Sequence, residues 1–344
     1  MRVLLTGASG FVGSHVLRHI LSNTDWDVVC PLTFRHKGLP ARMHSALEGH
    51  ELSRVRTVLL DLAAPVDSVT MHQMGHVDVI MNVASQSHVD RSIATPDEFI
   101  TDNVRIMNTV LNMARHLRPA LLLQMSTDEV YGPAYGDYRH KEWDTILPSN
   151  PYSASKAAQE ASCVSYWRTY GVPVVITNTM NILGEQQDPE KFLPMIIRSL
   201  RDGRPVTVHT APDGTPGSRF YLHARNLADA WVWLVRFYAL GERDVPGYAS
   251  GAQRPDRFHI VGDREVDNIE LVQMVGRLMG YPDSYVQSLI KPVSFHESRP
   301  GHDLRYALDG SKLAGLGWRA PVGLEESLER TVRWTLAHPE WLDI

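Results

Sequence analysis

The stretch Ser126-Thr127-Asp128-Glu129-Val130-Tyr131-Gly132 places two carboxylates side by side directly after the apolar run ALLLQM. Asp and Glu are poor strand residues, and burying either costs free energy unless it is paired. Successive side chains on a strand point to opposite faces, so both carboxylates serve one pocket only where the strand is ending. Two close carboxyl groups favour a split in which one is ionised and the other protonated, the condition for acid–base chemistry. A strand-end capping role accounts for Asp128 as well, but it explains nothing about Glu129.

Tyr152 and Lys156 stand as YSASK, and their spacing of four puts both side chains on one helical face. An ammonium near a phenol favours the phenolate and lowers its pKa. A phenolate can take a proton from a sugar hydroxyl while hydride leaves the same carbon. By spacing alone the pair fits an exposed helical face equally well.

Gly7, Gly10 and Gly13 in LLTGASGFVG follow one apolar run and open another. Glycines there allow a tight turn, close backbone approach to a pyrophosphate, and close helix–strand packing. An ordinary strand–helix turn needs one glycine, so three favour dinucleotide binding. The next apolar run ends in Val29-Cys30-Pro31-Leu32-Thr33-Phe34-Arg35-His36-Lys37, with no carboxylate for the ribose hydroxyls of NAD. Arg35, His36 and Lys37 stand where a 2′-phosphate would be received, which leans the cofactor slightly from NAD to NADP. A solvated basic loop explains the same residues. Asp61-Leu62 are placed to receive the adenine amine.

These residues need a scaffold. Strands are predicted at Arg2–Thr6, Val28–Leu32, Val55–Leu60, Val77–Asn82, Leu121–Met125 and Val174–Asn178. Helices are predicted at Val12–Leu21, Glu98–His116 and Tyr152–Tyr170. Apolar strands alternating with helices imply a parallel sheet covered on both faces. After Leu183 the pattern changes, and 205–218 is rich in Pro, Gly and Thr. Leu227–Ala239 and Phe258–Val261 return to the character of the first half. The expected fold is α/β: a Rossmann-type doubly wound parallel sheet with a smaller, interleaved α/β substrate-binding domain. The dinucleotide domain is expected over 1–182 with returns near 219–241 and 257–262. The substrate domain is expected over 183–218 and 263–344.

A net charge of −5 argues against nucleic-acid binding, which favours a clustered basic excess. No apolar run approaches a membrane span. Two cysteines, Cys30 and Cys163, are too few for a disulfide framework, and a cytoplasmic location is expected. The 16 histidines show no metal-ligand spacing, so no metal site is expected.

Taken together, TGASGFVGSH, SQSHVDRSI, STDEVYG, NPYSASKAAQE, PEKFLP, SRPGHDLRYALD and LGW resemble the extended short-chain dehydrogenase/reductase family, and within it the dTDP-glucose 4,6-dehydratases. STDEVYG is the most specific of these motifs. The resemblance implies a 4,6-dehydratase acting on a nucleotide-diphosphate hexose. Tyr152 would take the C4 hydroxyl proton, with Lys156 beside it and Thr127 bonding the same oxygen. Glu129 would remove the C5 proton and Asp128 would protonate the departing C6 hydroxyl. The resemblance further implies cofactor contacts from Gly7, Gly10, Phe11, Val12, Gly13, Thr33, Arg35, Asp61, Leu62, Val83, Ala84 and Ser85, besides Tyr152 and Lys156. It implies substrate contacts from Ser87, Thr127, Asn181, Glu190, Lys191, Phe192, Arg219, Arg299 and His302. It also implies a homodimer through the helices near 98–116 and 152–170.

The chain departs from that pattern in places. Cys30 stands where the family has a ribose-binding Asp, Gln86 replaces a Glu, Phe220-Tyr221 replace Asp-Trp, and His259 replaces an Asn. One extra residue lies between Asn181 and Gly184. The acid–base set is intact, so these departures bear on the nucleotide and not on the reaction type. Two other readings stay open: an epimerase or other C4-oxidising relative, and a cofactor-binding regulator without catalysis.

Overall fold

Apolar runs become the strands of one parallel sheet: β1 Arg2–Thr6, β2 Asp27–Leu32, β3 Val55–Leu59, β4 Val79–Asn82, β5 Leu121–Thr127, β6 Val174–Thr179 and β7 Asp256–Ile260. The computed structural model describes residues 1–241, 243–294 and 303–343. The strand order is β7-β6-β5-β4-β1-β2-β3, and every neighbouring pair is parallel. This is the doubly wound arrangement, in which the order reverses between β1 and β4.

Period-2 alternation sorts the strand side chains onto two faces. Val3 and Leu5 of β1 enter one apolar layer, with Leu17 and Ile20 of α1 (Phe11–Asn23). Leu4 enters the other, with Met107 and Leu111 of α2 (Pro96–Leu117) and Cys163 of α3 (Pro151–Tyr170). A fourth helix, α4 (Ala224–Ala239), adds Leu227, Trp231 and Leu234 to the first layer. Each such side chain fully buried stabilises the fold by about 1.5–3 kcal/mol before entropy is counted. β3 is the exposed edge, with Leu59 82% accessible.

A separate apolar cluster forms beyond β6. The helix Phe192–Arg201 contributes Leu193, Ile196, Ile197 and Leu200, which pack with Val206, Leu271, Val275, Leu328 and Val332. Short strands tie this region together: Ile182–Leu183 with Leu222–His223, Ser218–Phe220 with Glu265–Asp267, and Val206–Thr210 with Ile290–Ser294.

α3 begins with a complete capping box. The Asn150 side chain accepts from Ser153 N–H, and Ser153 reciprocates to the Asn150 backbone. Pro151 follows at the position where a missing N–H costs nothing, and Gly171 closes the helix at φ 67°. Midway along α3, Glu160 meets Arg257 of β7 at 2.5 Å, and each side chain is only 1% exposed. Asn178 of β6 donates to the other oxygen of Glu160 and also to the carbonyl of Thr127. Arg257 further donates to the Tyr131 hydroxyl. The helix carrying Tyr152 is thereby bound to the strand ends on either side of Asp128. Glu160→Ala would strand a guanidinium in the core. The expected loss is about 3–5 kcal/mol in urea unfolding, and a loss under about 1 kcal/mol would show the pair to be dispensable.

Candidate active site

β5 ends at Thr127, and Asp128–Tyr131 form one 3-10 turn. The alternation of the strand stops there, and both carboxylates act on Tyr152. The turn closes on Gly132 at φ 75°, where any side chain would meet the carbonyl of Leu147 at 2.6 Å. Thr127 Oγ1 donates to Asp128 Oδ1 at 2.9 Å and accepts from Glu129 N–H. Asp128 Oδ2 is buried without a hydrogen-bond partner among the described residues. Burial, then the neighbouring charge of Glu129, push the Asp128 carboxyl up to about 7. Burial also raises Glu129, but Asn150 Nδ2 donates to its Oε2 at 3.1 Å, and Arg219 and Lys191 favour its ionised form. Asp128 is therefore suited to hold a proton and Glu129 to accept one.

The first turn of α3 brings Tyr152 to these carboxylates. Burial foremost, then the charge of Glu129 and, more weakly, that of Asp128, hold its phenol neutral, and the side-chain contact with Thr127 opposes them. Lys156 differs from expectation. Its ammonium donates to the carbonyl of Met125 at 2.8 Å and to Gln159 Oε1 at 2.7 Å, and burial lowers it to about 8. Burial foremost raises the pKa of the Tyr152 phenol, where the YSASK spacing predicts a lowered one.

The glycine loop is a cradle built by absence of side chains. Gly7 sits at φ 71° with its Cβ position 3.0 Å from Ala84 N, and a Cβ on Gly13 would lie 2.0 Å from the carbonyl of Gly7. Gly10 caps α1 without a side chain, leaving the N–H groups of Phe11 and Val12 at an open helix N-terminus. Such an end binds phosphate. Across the switch point, Thr6 Oγ1 accepts from the N–H groups of both Val83 and Ala84, which holds that loop beside the cradle. These residues fit a dinucleotide.

Residues 3–245 match the sequence model of the NAD dependent epimerase/dehydratase family. The chain belongs to that family. It is 30% identical to the dTDP-glucose 4,6-dehydratase of Salmonella typhimurium over 362 residues, covering 100% of this chain and 95% of the relative. The crystal structure of DesIV, a dTDP-glucose 4,6-dehydratase from Streptomyces venezuelae with NAD bound, superposes with TM-score 0.82 at 31% identity, covering 99% of this chain and 98% of that one. The Bacillus anthracis dTDP-glucose 4,6-dehydratase in complex with NAD gives TM-score 0.81 at 26% identity, covering 100% and 99%.

In this member of the epimerase/dehydratase family the basic loop after β2 is committed elsewhere. Arg35 pairs with Asp61 and, at 3.1 Å, with Asp102 of α2. His36 lies 3.7 Å from Asp102, and Lys37 reaches Asp188 and Glu190 at 3.6 and 3.4 Å. The lean toward NADP is not supported: the cations proposed for a 2′-phosphate already face carboxylates, and the related structures carry NAD. Thr33 accepts from Arg35 N–H, Leu62 is buried in the core, and Ser85 donates to Asn103 on α2. His36, Glu98 and Asp102 also bring possible metal-ligand atoms within 4.8 Å of one another, but Asp102 already serves Arg35 and Gln86.

The expected substrate residues are split. Lys191 donates to the carbonyl of Ser87, and Glu190 pairs with Arg91, so these two segments close on each other. Arg219 is buried and donates to the carbonyls of Ser218, Asp303 and Leu304, with its guanidinium 4.5 Å from the centre of the Tyr306 ring. Its charge reaches Asp128 and Glu129 while three of its N–H groups bond backbone carbonyls. Asn181 is exposed, and Phe192 opens its helix next to Lys191. Arg299 and His302 lie outside the described residues.

Sequence reasoning missed the polar layer beneath the site. Thr6 donates to Asn82, Asn82 to Gln124, and Gln124 to Gln159, which accepts from Lys156 and donates to the carbonyl of Asn103. Asn103 in turn donates to Ser155. An Asn closing the strand VIMN and a Gln inside LLLQM were the visible signals, since an amide in a buried strand needs partners.

Asp128 carries a sign for stability. Its folded pKa lies above the ordinary carboxylate value, so the native state binds more protons than the unfolded one between roughly pH 4 and 7. Wild-type stability contributed by this group therefore falls as pH rises through that window. Asp128→Asn lacks the effect. Measured by urea unfolding, the variant should gain on wild type by about 1–3 kcal/mol between pH 4.5 and pH 8. A pH-independent difference would mean that Asp128 ionises freely in the fold.

Proposed function

We propose that this protein is an NAD-dependent nucleotide-sugar 4,6-dehydratase, converting a dTDP-glucose-like NDP-hexose to its 4-keto-6-deoxy form. The observation that carries this reading is the buried Asp128–Glu129 pair on one turn, within the electrostatic reach of Tyr152. An epimerase needs C4 oxidation alone and gives such a pair no task.

Bound NAD+ supplies a hydride acceptor at C4 that becomes the donor at C6. The Tyr152 phenol first gives up its own proton to solvent; the phenolate then takes the C4 hydroxyl proton, and Thr127 bonds the same oxygen. Protonation of Asp128 removes one of the two charges that hold the phenol neutral, which eases that transfer. The ketone acidifies the C5 proton, and Glu129, with Asn150 holding its carboxylate, removes it. Asp128 delivers its proton to the departing C6 hydroxyl. The glycine loop, Val83 and Ala84 would seat the dinucleotide. Residues 183–218 and 263–344 would seat the substrate, while 1–182 with its two returns forms the cofactor domain. Two copies would associate through α2 and α3. No described helix is long and apolar enough to cross a membrane.

Two measurements test the reading. Incubation with dTDP-glucose and other nucleotide hexoses should give a 4-keto-6-deoxy product, with deuterium placed at C4 recovered at C6. Deuterium lost to an external cofactor pool would indicate a plain dehydrogenase instead. Glu129→Gln should still oxidise C4 but slow turnover by about 10²–10⁴-fold, so reduced cofactor accumulates on the enzyme. Normal turnover by this variant would remove Glu129 from its role.

A further inference from the structure

The Asn150 side chain joins two structural features. Its Oδ1 accepts from Ser153 N–H at 2.9 Å, as the N-cap of α3. Because that N–H can only donate, the amide orientation is set, and Nδ2 must face the other way. There it donates to Glu129 Oε2 at 3.1 Å. Both side chains are buried, Asn150 at 6% and Glu129 at 9% exposure. One short, rigid side chain thus joins the carboxylate at the end of β5 to the helix whose first turn bears Tyr152.

We propose that Asn150 is a positioning residue for Glu129, holding its carboxylate ionised and in fixed relation to Tyr152. The proposal rests on the reading of Glu129 as the C5 base. Other charged or titratable groups act on or respond to Glu129: Asp128 on the same turn, Tyr152 on α3, Arg219 on the strand Ser218–Phe220, Lys191 before Phe192, and Asp303 and Tyr306 on the segment beyond. Arg219 and Lys191 favour the ionised form of Glu129 through their charge. Asn150 makes a direct hydrogen bond to the Glu129 carboxylate and also belongs to the Tyr152 helix.

Two substitutions isolate the contact, since Ser and Asp cap helices about as well as Asn. Asn150→Ser keeps an acceptor for Ser153 N–H and drops the amide donor. Asn150→Asp keeps the shape and places a second carboxylate against Glu129. The probe is the Glu129 side-chain carboxyl followed by carbon-13 NMR in the intact protein with NAD, its signal identified by its loss in Glu129→Gln. The expected result is a titration midpoint raised by about one to two pH units in Asn150→Ser, the scale of one lost charge-assisted hydrogen bond. Asn150→Asp should raise it further, through like charge. The acid limb of the turnover profile should move the same way in both variants, with helix content unchanged. Glu129 titrating at the wild-type midpoint in both variants would reduce Asn150 to a helix cap and overturn the proposal. The NMR titration reads the contact whether or not turnover occurs. Absence of a 4-keto product from the wild-type enzyme would instead strike the dehydratase reading.

Discussion

Two carboxyl groups desolvated side by side cannot both ionise cheaply, and the architecture around Asp128 and Glu129 follows from that repulsion. Among the described residues Asp128 has one oxygen bonded to Thr127 and the other without a partner, and its carboxyl is pushed up to about 7. Glu129 receives an amide donor and the charge of Arg219 and Lys191. The asymmetry between two chemically similar groups is thus made entirely by their neighbours. Those neighbours come from α3, from the strand Ser218–Phe220 and from the start of the helix Phe192–Arg201, three segments distant in the chain.

Holding that asymmetry requires the ends of β5 and β6 and the start of α3 to keep their relative positions. Two buried polar layers do this. One runs from Thr6 through Asn82, Gln124 and Gln159 to Lys156. The other joins Glu160, Arg257, Asn178 and Tyr131. The hydrogen bonds and the ion pair of these layers stiffen the core, because displacement would break them, although Asn178 Oδ1 and Arg257 Nε have no hydrogen-bond partner among the described residues. The Asp128–Tyr131 turn is therefore mounted between these two layers.

The cofactor side is held differently. Arg35, His36 and Lys37 span from the β2 loop to α2 and to the segment before Phe192 through partly exposed ion pairs. Each such pair is worth little alone. Arg42 nearby is fully buried, bonded to the carbonyls of Gln186 and Lys37 and paired with Asp188, and it anchors the same connection from inside. Together they lay the loop toward the segment before Phe192 and account for its basic composition without a 2′-phosphate.

Much was legible in the chain itself. The strand and helix positions follow from local periodicity: β1 spans the expected residues, and α2 and α3 begin and end within two residues of expectation. The glycine loop and the catalytic turn follow from residues adjacent in sequence, where turn geometry is a local matter. What the sequence left undecided depends on partners far along the chain. Arg35 reads as a phosphate receptor until Asp61 and Asp102 are folded against it. Lys156 reads as a partner of Tyr152 by helical spacing, but the carbonyl of Met125 and Gln159 accept from two of its three N–H groups. Asn150 reads as a helix cap, and only the packing of α3 on the end of β5 brings it to Glu129. Charge and hydrogen-bond partners are chosen by three-dimensional proximity, so tertiary structure alone decided which of the recognised residues act on one another.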